Sequence, residues 1–68
     1  MDYSVVIVYK DGFEEVVCRC YERSWASLIA FCLSEWYSSE KFLVCREDGS
    51  PVLVYRSGDE IDVGEDDD

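Results

Sequence analysis

Four cysteines and no histidine limit the chemistry that this chain of 68 residues can perform. Cys18, Cys20, Cys32 and Cys45 form no C-x-x-C pair, whereas structural zinc sites are normally built from closely spaced cysteines and histidines. The N-terminus begins acidic, unlike a secretion signal, so a disulfide framework is not expected. We predict that the cysteines are small buried hydrophobic residues. A zinc site and a disulfide or redox role stay open as alternatives.

Carboxylate pairs are the other groups that could perform acid–base chemistry. Glu14 and Glu15 project to opposite faces of a predicted strand, and Glu47 and Asp48 fall in a predicted tight turn. Neither pair converges on one substrate position. The chain also lacks histidine, the usual acid or base near neutral pH. We therefore expect that the protein is not an enzyme and that it needs no cofactor.

A metal site built from oxygen ligands is not expected either. Residues 59–65 (DEIDVGE) contain carboxylates and a glycine. They lack the full pattern of a calcium-binding loop, in which ligands at positions 1, 3 and 5 are combined with a glycine at position 6 and a glutamate at position 12. We predict only weak attraction of divalent cations by charge.

Charge is the strongest signal in the sequence, with 16 acidic and 6 basic residues giving a net charge of −10. Residues 57–68 contain no cation and seven of the carboxylates: Asp59, Glu60, Asp62, Glu65, Asp66, Asp67 and Asp68. Such a surface is repelled by nucleic acid and anionic lipid and is attracted to basic proteins. We expect no direct nucleic-acid binding, and no apolar run approaches the ~20 residues of a membrane span.

The acidic residues 59–68 are a dilute imitation of a nucleic-acid strand. These ten residues reach at most ~33 Å, so their seven carboxylates average one per ~5 Å, against one phosphate per ~3.4 Å of a single strand. Carboxylates of the folded domain, such as Glu47 and Asp48, could raise this density. The competing interpretation is an acidic tail that only aids solubility.

Two Asp-Gly turns predict two β-hairpins. In the first, a two-residue loop pairs Lys10 with Phe13, so that Tyr3 lies opposite Cys20. This register predicts a core face and a second face that is also unusually apolar. The predicted core face holds Tyr3, Val5, Ile7, Val16, Cys18 and Cys20, and the second face holds Ser4, Val6, Val8, Glu15, Val17 and Arg19.

A helix is predicted over residues 25–37, with Ser24 as its N-cap. The predicted apolar stripe that packs on the sheet comprises Trp25, Leu28, Ile29, Cys32, Leu33 and Trp36. The opposite side comprises Ser27, Ala30, Phe31, Ser34 and Tyr37, without a charge. A fully solvated helix face normally carries charged residues. Phe31 and Tyr37 are therefore predicted as exposed aromatic contacts for a partner.

The second hairpin is predicted from residues 41–46 and 51–56, and its inward face stays open because both strands are apolar at consecutive positions. The fold class is α+β in the order β-β-α-β-β, with a four-stranded antiparallel sheet ordered 2-1-3-4 and one helix on one face. We expect a compact domain over residues 1–58 and an acidic tail over residues 59–68. A short extra strand at residues 60–63 is an alternative.

The combination of length, acidity, the β-β-α-β-β order of residues 4–56 and the acidic residues 59–68 resembles the small inhibitors of host defence that bacteriophages and mobile elements encode. These are the anti-CRISPR and antirestriction proteins, some of which mimic DNA. The resemblance is one of class, and it carries over no individual functional residue. It implies a cytoplasmic protein (in the host cell, if phage-encoded) that occupies a basic channel of a nucleic-acid-binding host protein and excludes DNA or RNA.

The residues that we predict to contact such a partner are the acidic and aromatic candidates above. They are Asp59, Glu60, Asp62, Glu65, Asp66, Glu47, Asp48, Phe31 and Tyr37. The alternative function is a homodimeric or virion-associated interaction module whose acidity only aids solubility. It is motivated by the apolar second sheet face, with Val6, Val8 and Val17.

Overall fold

Five antiparallel strands and one helix make up residues 2–61, which are the residues that the computed structural model describes. The elements are β1 (Tyr3–Val8), β2 (Glu14–Cys20), α1 (Arg23–Trp36), β3 (Lys41–Arg46), β4 (Pro51–Arg56) and β5 (Asp59–Ile61). The sheet order is β2-β1-β3-β4-β5. The α+β class, the helix packed on an antiparallel sheet and the order of the first four strands are confirmed.

The prediction of four strands is wrong, because a fifth strand pairs with the last predicted one. Residues Asp59 to Ile61 lie antiparallel to Arg56 to Val54. The turn between β4 and β5 is made by Ser57 and Gly58, which both have positive φ (54° and 79°), as a tight two-residue hairpin requires. The alternative of a short extra strand at residues 60–63 therefore agrees better with the structure, in which β5 comprises Asp59–Ile61. Asp62 and Val63 lie outside the described residues.

Both Asp-Gly hairpins close with a three-residue loop, so the two-residue loop predicted for the first hairpin is wrong. The Tyr9 N–H donates to the Phe13 carbonyl (2.8 Å), and the Arg46 N–H donates to the Ser50 carbonyl in the same way (2.8 Å). The aspartate favours this loop because its carboxylate accepts an N–H two residues on, 3.0 Å from the Phe13 nitrogen in the first turn. Gly12 follows with a φ of 91°, a left-handed conformation that glycine adopts without strain.

A bulge in β2 corrects for the longer loop and changes which side chains face the helix. The predicted register holds from Tyr3↔Cys20 to Val5↔Cys18 and then shifts, so that Val6 pairs with Val16 and Ile7 pairs with Glu15. Val17 is the extra residue. The predicted core position of Val16 is therefore wrong, since its side chain is 53% exposed. Glu15 takes its place opposite Ile7, on the side of the sheet that carries the helix.

The core lies between this side of the sheet and α1. Val5 and Ile7 of β1, Phe42 and Val44 of β3, and Tyr55 of β4 pack there with the helix. The inward face of the second hairpin, which the sequence left open, is thus Phe42 and Val44 with the residues opposite them, Tyr55 and Leu53. Pro51 starts β4 at a position that β5 does not cover, as expected for a residue without an N–H.

The helix packs on the sheet with its small residues and not with the predicted apolar stripe. Ala26, Ala30 and Ser34 are completely buried, and they follow one another at a spacing of four residues. Of the predicted stripe, Ile29 and Leu33 contact the core only from its edge. Trp25 and Trp36 are 60% and 82% exposed. Hydrophobic periodicity therefore predicted the helix correctly and its rotation wrongly.

Ser34 explains why this rotation is favoured. Its hydroxyl accepts a hydrogen bond from the Gly58 N–H (3.0 Å) and donates to the Phe31 carbonyl (2.8 Å). Nearby, the Ser57 hydroxyl donates to the carbonyl of Ser38 (3.0 Å). A larger residue at position 58 would not fit easily, since a Cβ there would lie 2.8 Å from Cγ of Glu35. The β4–β5 turn is thus attached to the C-terminal half of the helix.

The helix begins two residues earlier than the sequence indicated. Glu22 is its N-cap residue and makes no side-chain capping bond, whereas the predicted cap, Ser24, lies inside the first turn. The Ala26 N–H closes the first turn on the carbonyl of Glu22 (3.1 Å). The predicted start at residue 25 is therefore wrong by two residues.

Removal of the Ser34 hydroxyl tests the attachment of the turn to the helix. Ser34→Ala leaves the Gly58 N–H without its partner, so we expect the free energy of unfolding to fall by about 1–3 kcal/mol in urea denaturation. Ser24→Ala is the matched control, because an exposed serine that caps nothing should change stability by less than about 0.5 kcal/mol. Equal effects of the two substitutions would contradict the assignment.

Candidate interaction surface

The outward side of α1 carries an unusually apolar surface. We use the name outer helix stripe for Trp25, Leu28, Cys32 and Trp36, which are all exposed and follow one another at helical spacing. The two tryptophans alone expose about 300 Å² of ring surface, judging from their exposed fractions of 60% and 82%. An exposed apolar stripe of this size is a candidate interaction site.

The two aromatic residues that the sequence singled out occupy different environments. Phe31 is half-buried, and its ring lies edge-on to Tyr55, with 6.2 Å between ring centroids. Tyr37 follows the last residue of α1 and is about half exposed, with its ring 6.3 Å from that of Phe42. Tyr37 therefore presents contact surface to a partner, whereas Phe31 presents much less.

The predicted acidic residues do not form one patch. Glu47 and Asp48 lie in the β3–β4 turn, while Asp59 and Glu60 lie in β5 beside the far end of β4. The six residues of β4 separate the two pairs by about 20 Å. In the β3–β4 turn, Asp48 accepts bonds from the N–H and hydroxyl of Ser50, which hold the pKa of its carboxyl below the usual value. Asp62, Glu65 and Asp66 lie outside the described residues.

A groove of about 480 Å³ runs between the C-terminal end of α1 and the β1–β2 hairpin. Ile7 and Phe42 are buried and form its floor, and Leu33 and Tyr37 border it from the helix side. The groove also contains Tyr9, two carboxylates, Glu15 and Glu40, and the bulged part of β2 at Val16 and Val17. We call this site the acidic groove.

A hydrogen bond orients one carboxylate of the acidic groove. The Tyr9 hydroxyl donates to Oε1 of Glu15 over 2.9 Å. This bond, with the charges of Glu15 and Glu40, raises the pKa of the Tyr9 phenol above its ordinary value. A backbone hydrogen bond connects Glu40 to the end of the helix: its N–H donates to the carbonyl of Tyr37 (3.2 Å).

Charges are divided between the two sides of the sheet. The register places Arg19, Lys41 and Arg56 on the face without the helix, together with Glu14 and Asp59. Among the described residues, the helix and the acidic groove carry four carboxylates: Glu15, Glu22, Glu35 and Glu40. Arg23 is the one cation that the helix and the groove contain in this part of the chain. Arg46 and Glu60 also lie on this side of the sheet, opposite Tyr3 and Tyr55. The apolar surface of the stripe and the excess of negative charge therefore share one side of the molecule.

The face of the sheet without the helix is less open than the sequence suggested. An apolar row crosses all five strands there, from Val16 through Val6, Leu43 and Val54 to Ile61. Val6 is nevertheless buried, and Leu43 and Val54 are half-buried. Long aliphatic stems such as those of lysine and arginine can cover an apolar surface while their charges stay in water.

The cysteines differ in burial. Cys45 is buried, and burial raises the pKa of its thiol, with a smaller contribution from Glu14. Cys18 and Cys20 are half-buried on the core side, where burial and then its neighbour Cys20 raise the pKa of Cys18. Cys32 is exposed on the outer helix stripe, so the prediction that all four are buried is wrong for this one.

The described residues contain no group of three or more histidine, cysteine, aspartate or glutamate side chains that could hold a metal ion. Within residues 2–61, no helix is long and apolar enough to cross a membrane. No family model, curated protein or solved structure matches the chain.

Sequence reasoning missed both the outer helix stripe and the acidic groove as binding surfaces. The signal for the stripe was present as the spacing of Ala26, Ala30 and Ser34, because a row of small residues lets a helix lie close to a sheet. The groove depends on the bulge at Val17, which moves Glu15 to the helix side. Nothing in the strand pattern indicates that bulge.

Titration of Tyr9 tests the geometry of the acidic groove. Because the phenol donates to Glu15, its proton should be retained to higher pH than that of an exposed tyrosine, and Glu15→Gln should lower the Tyr9 pKa toward its usual value. The ring signals of Tyr9 in NMR spectra, followed against pH, report this pKa. Glu14→Gln is the control, because Glu14 faces the other side of the sheet. A Tyr9 pKa that responds equally to both substitutions would rule out the bond.

Proposed function

We propose that this protein binds a basic, nucleic-acid-binding protein of a host cell and blocks the access of DNA or RNA to it, as phage-encoded inhibitors of host defence do. It would act in the cytoplasm, by occupying a cationic channel and without catalysis. The observation that carries the proposal is the coincidence of exposed tryptophans and carboxylates on the helix side of the molecule. Tryptophan is enriched among the residues that dominate binding energy, and complementary charge supplies specificity and fast association.

The two kinds of surface have different roles in this proposal. The outer helix stripe supplies apolar contact that is desolvated in the complex, with Trp36 as the most exposed anchor on it. The carboxylates of the helix side, with those of residues 59–68, attract the partner and compete with phosphate for its lysines and arginines. Tyr37 adds aromatic surface at the end of the stripe. Glu47 and Asp48, at the opposite end of the strands from Asp59, would touch only a partner that spans the whole sheet.

A homodimeric interaction module is the second candidate, and the spacing of the outer helix stripe favours it. In an antiparallel pair of α1 helices, Trp25 of one copy would lie near Trp36 of the other. Such a dimer joins two copies with a net charge of −10 each, so salt should strengthen it by screening their repulsion. A complex with a basic partner should weaken in salt. Light scattering at two salt concentrations therefore separates the two candidates.

Substitution of Trp36 tests the binding role of the outer helix stripe. Because the side chain is 82% exposed, Trp36→Ala should change the free energy of unfolding by less than about 0.5 kcal/mol and weaken partner binding by at least about tenfold. Tyr21→Ala is the matched control, since this side chain is 83% exposed and precedes the helix. For this control, binding to the basic partner protein, measured by calorimetry, should be unchanged. Unchanged affinity of Trp36→Ala would remove the stripe from the site.

Neutralisation of three of the predicted acidic contact residues tests the electrostatic part of the proposal. Asp62→Asn, Glu65→Gln and Asp66→Asn together should slow association with the basic partner and flatten its dependence on salt. The variant Asp2→Asn, Asp11→Asn and Glu14→Gln removes the same charge elsewhere and should retain more of the salt dependence. Stopped-flow association rates at several ionic strengths provide the measurement. Identical rates for the wild type and both variants would contradict acidic mimicry.

A further inference from the structure

We infer that the acidic groove is a binding pocket for the side chain of an arginine. It deepens the proposed function, because it identifies where one cation of a basic partner would bind. The groove combines three features that favour a guanidinium group: an apolar floor, aromatic rings beside it and carboxylates in its lining. The pocket itself is tested with short peptides, without any assumption about the whole partner.

The shape of the groove fits one long side chain. Its volume is about 480 Å³, which is at the small end of ligand pockets. Ile7 and Phe42 are 9% and 1% exposed, so the floor is made of side chains already fixed in the core. The three methylene groups of an arginine can pack on this floor and on Leu33, while the charged end stays near the rim.

Two tyrosines place aromatic surface beside this charged end. Tyr37 borders the groove from the end of α1, and Tyr9 borders it from the β1–β2 hairpin. The Tyr9 ring is fixed further by stacking on Phe13, with 5.9 Å between centroids and 24° between planes. A planar guanidinium stacks on such rings more readily than an ammonium group does, which is why arginine is the chosen occupant.

The carboxylates of Glu15 and Glu40 provide charge that the protein itself does not neutralise within the groove. Among the residues described, no lysine or arginine lines this site. Tyr9 donates to only one oxygen of Glu15, Oε1, so Oε2 is the oxygen free for a donor from a ligand. Two carboxylates and two tyrosine rings thus line one groove that has no lysine or arginine among its described lining residues.

The bulge in β2 shows that this arrangement differs from an ordinary packed sheet edge. In the regular register that the sequence predicts, Val16 would lie opposite Ile7 and close the groove with an apolar side chain. The shift at Val17 brings Glu15 to that position. Among the described residues β2 pairs only with β1, so its outer edge beside the groove is available to an extended peptide.

Titration with short peptides tests this pocket. The probe is acetyl-Gly-Arg-Gly-amide, and the matched peptide with citrulline in place of arginine keeps the shape and removes the charge. We expect the arginine peptide to shift the backbone NMR signals of Tyr9, Glu15, Tyr37 and Glu40, and the citrulline peptide to bind about tenfold more weakly. A lysine peptide should bind more weakly than the arginine peptide, because an ammonium group lacks the planar surface that stacks on a tyrosine ring.

Two variants of equal charge locate the binding. Glu15→Gln with Glu40→Gln should abolish the shifts, whereas Asp11→Asn with Glu14→Gln should retain them, since Glu14 lies beside Glu15 in sequence but faces the opposite side of the sheet. The citrulline comparison uses the unchanged protein, so it decides the matter even if the first variant folds poorly. Shifts that are absent, spread over the acidic surface or equal for the two peptides would overturn the pocket. The proposed function would not be overturned by that result, because it is tested separately by the effect of Trp36→Ala on partner binding.

Discussion

The hydroxyl of Ser34 connects the helix, the last turn and the sheet, and much of this structure depends on it. It accepts the Gly58 N–H and donates to the Phe31 carbonyl, from a position with no exposed surface. A buried serine is satisfied only when such partners are present, so this face of the helix must point to the β4–β5 turn. Ala26 and Ala30 lie on the same line and let the helix approach the sheet. As a consequence, the large residues Trp25 and Trp36 point to solvent.

The two candidate binding surfaces follow from two local departures from regular structure. The rotation of α1 exposes the outer helix stripe, and the bulge at Val17 brings Glu15 into the acidic groove. Both surfaces lie on the helix side, where the described charges of the helix and groove are mostly negative. The opposite face carries Arg19, Lys41 and Arg56. The core thus combines small helix residues with Val5, Ile7, Phe42, Val44 and Tyr55 of the strands, while the two tryptophans stay available for contact.

Much of the fold could be predicted from the sequence, because strand patterns and Asp-Gly turns are local signals. The bounds of β3 and β4 agree with residues 41–46 and 51–56 as predicted. Three features escaped because they depend on contacts between distant residues. Ser57 and Gly58 form a hairpin turn that is bonded to Ser34. The same contact orients the helix so that the stripe faces solvent. The bulge in β2 places Glu15, and not Val16, opposite Ile7. Of the predicted contact residues, Tyr37 lines the acidic groove and lies next to the end of the outer helix stripe. Phe31 packs largely against the core.

Tryptophan fluorescence tests the central claim, the outward rotation of α1, most directly. Both tryptophans of the chain, Trp25 and Trp36, are exposed in this structure. In dilute solution the folded protein should therefore show the red emission of solvated indole, full quenching by acrylamide and little further red shift on unfolding. Blue emission that resists quenching in the folded monomer and moves to the red in urea would show that the stripe packs on the sheet, and would contradict this account.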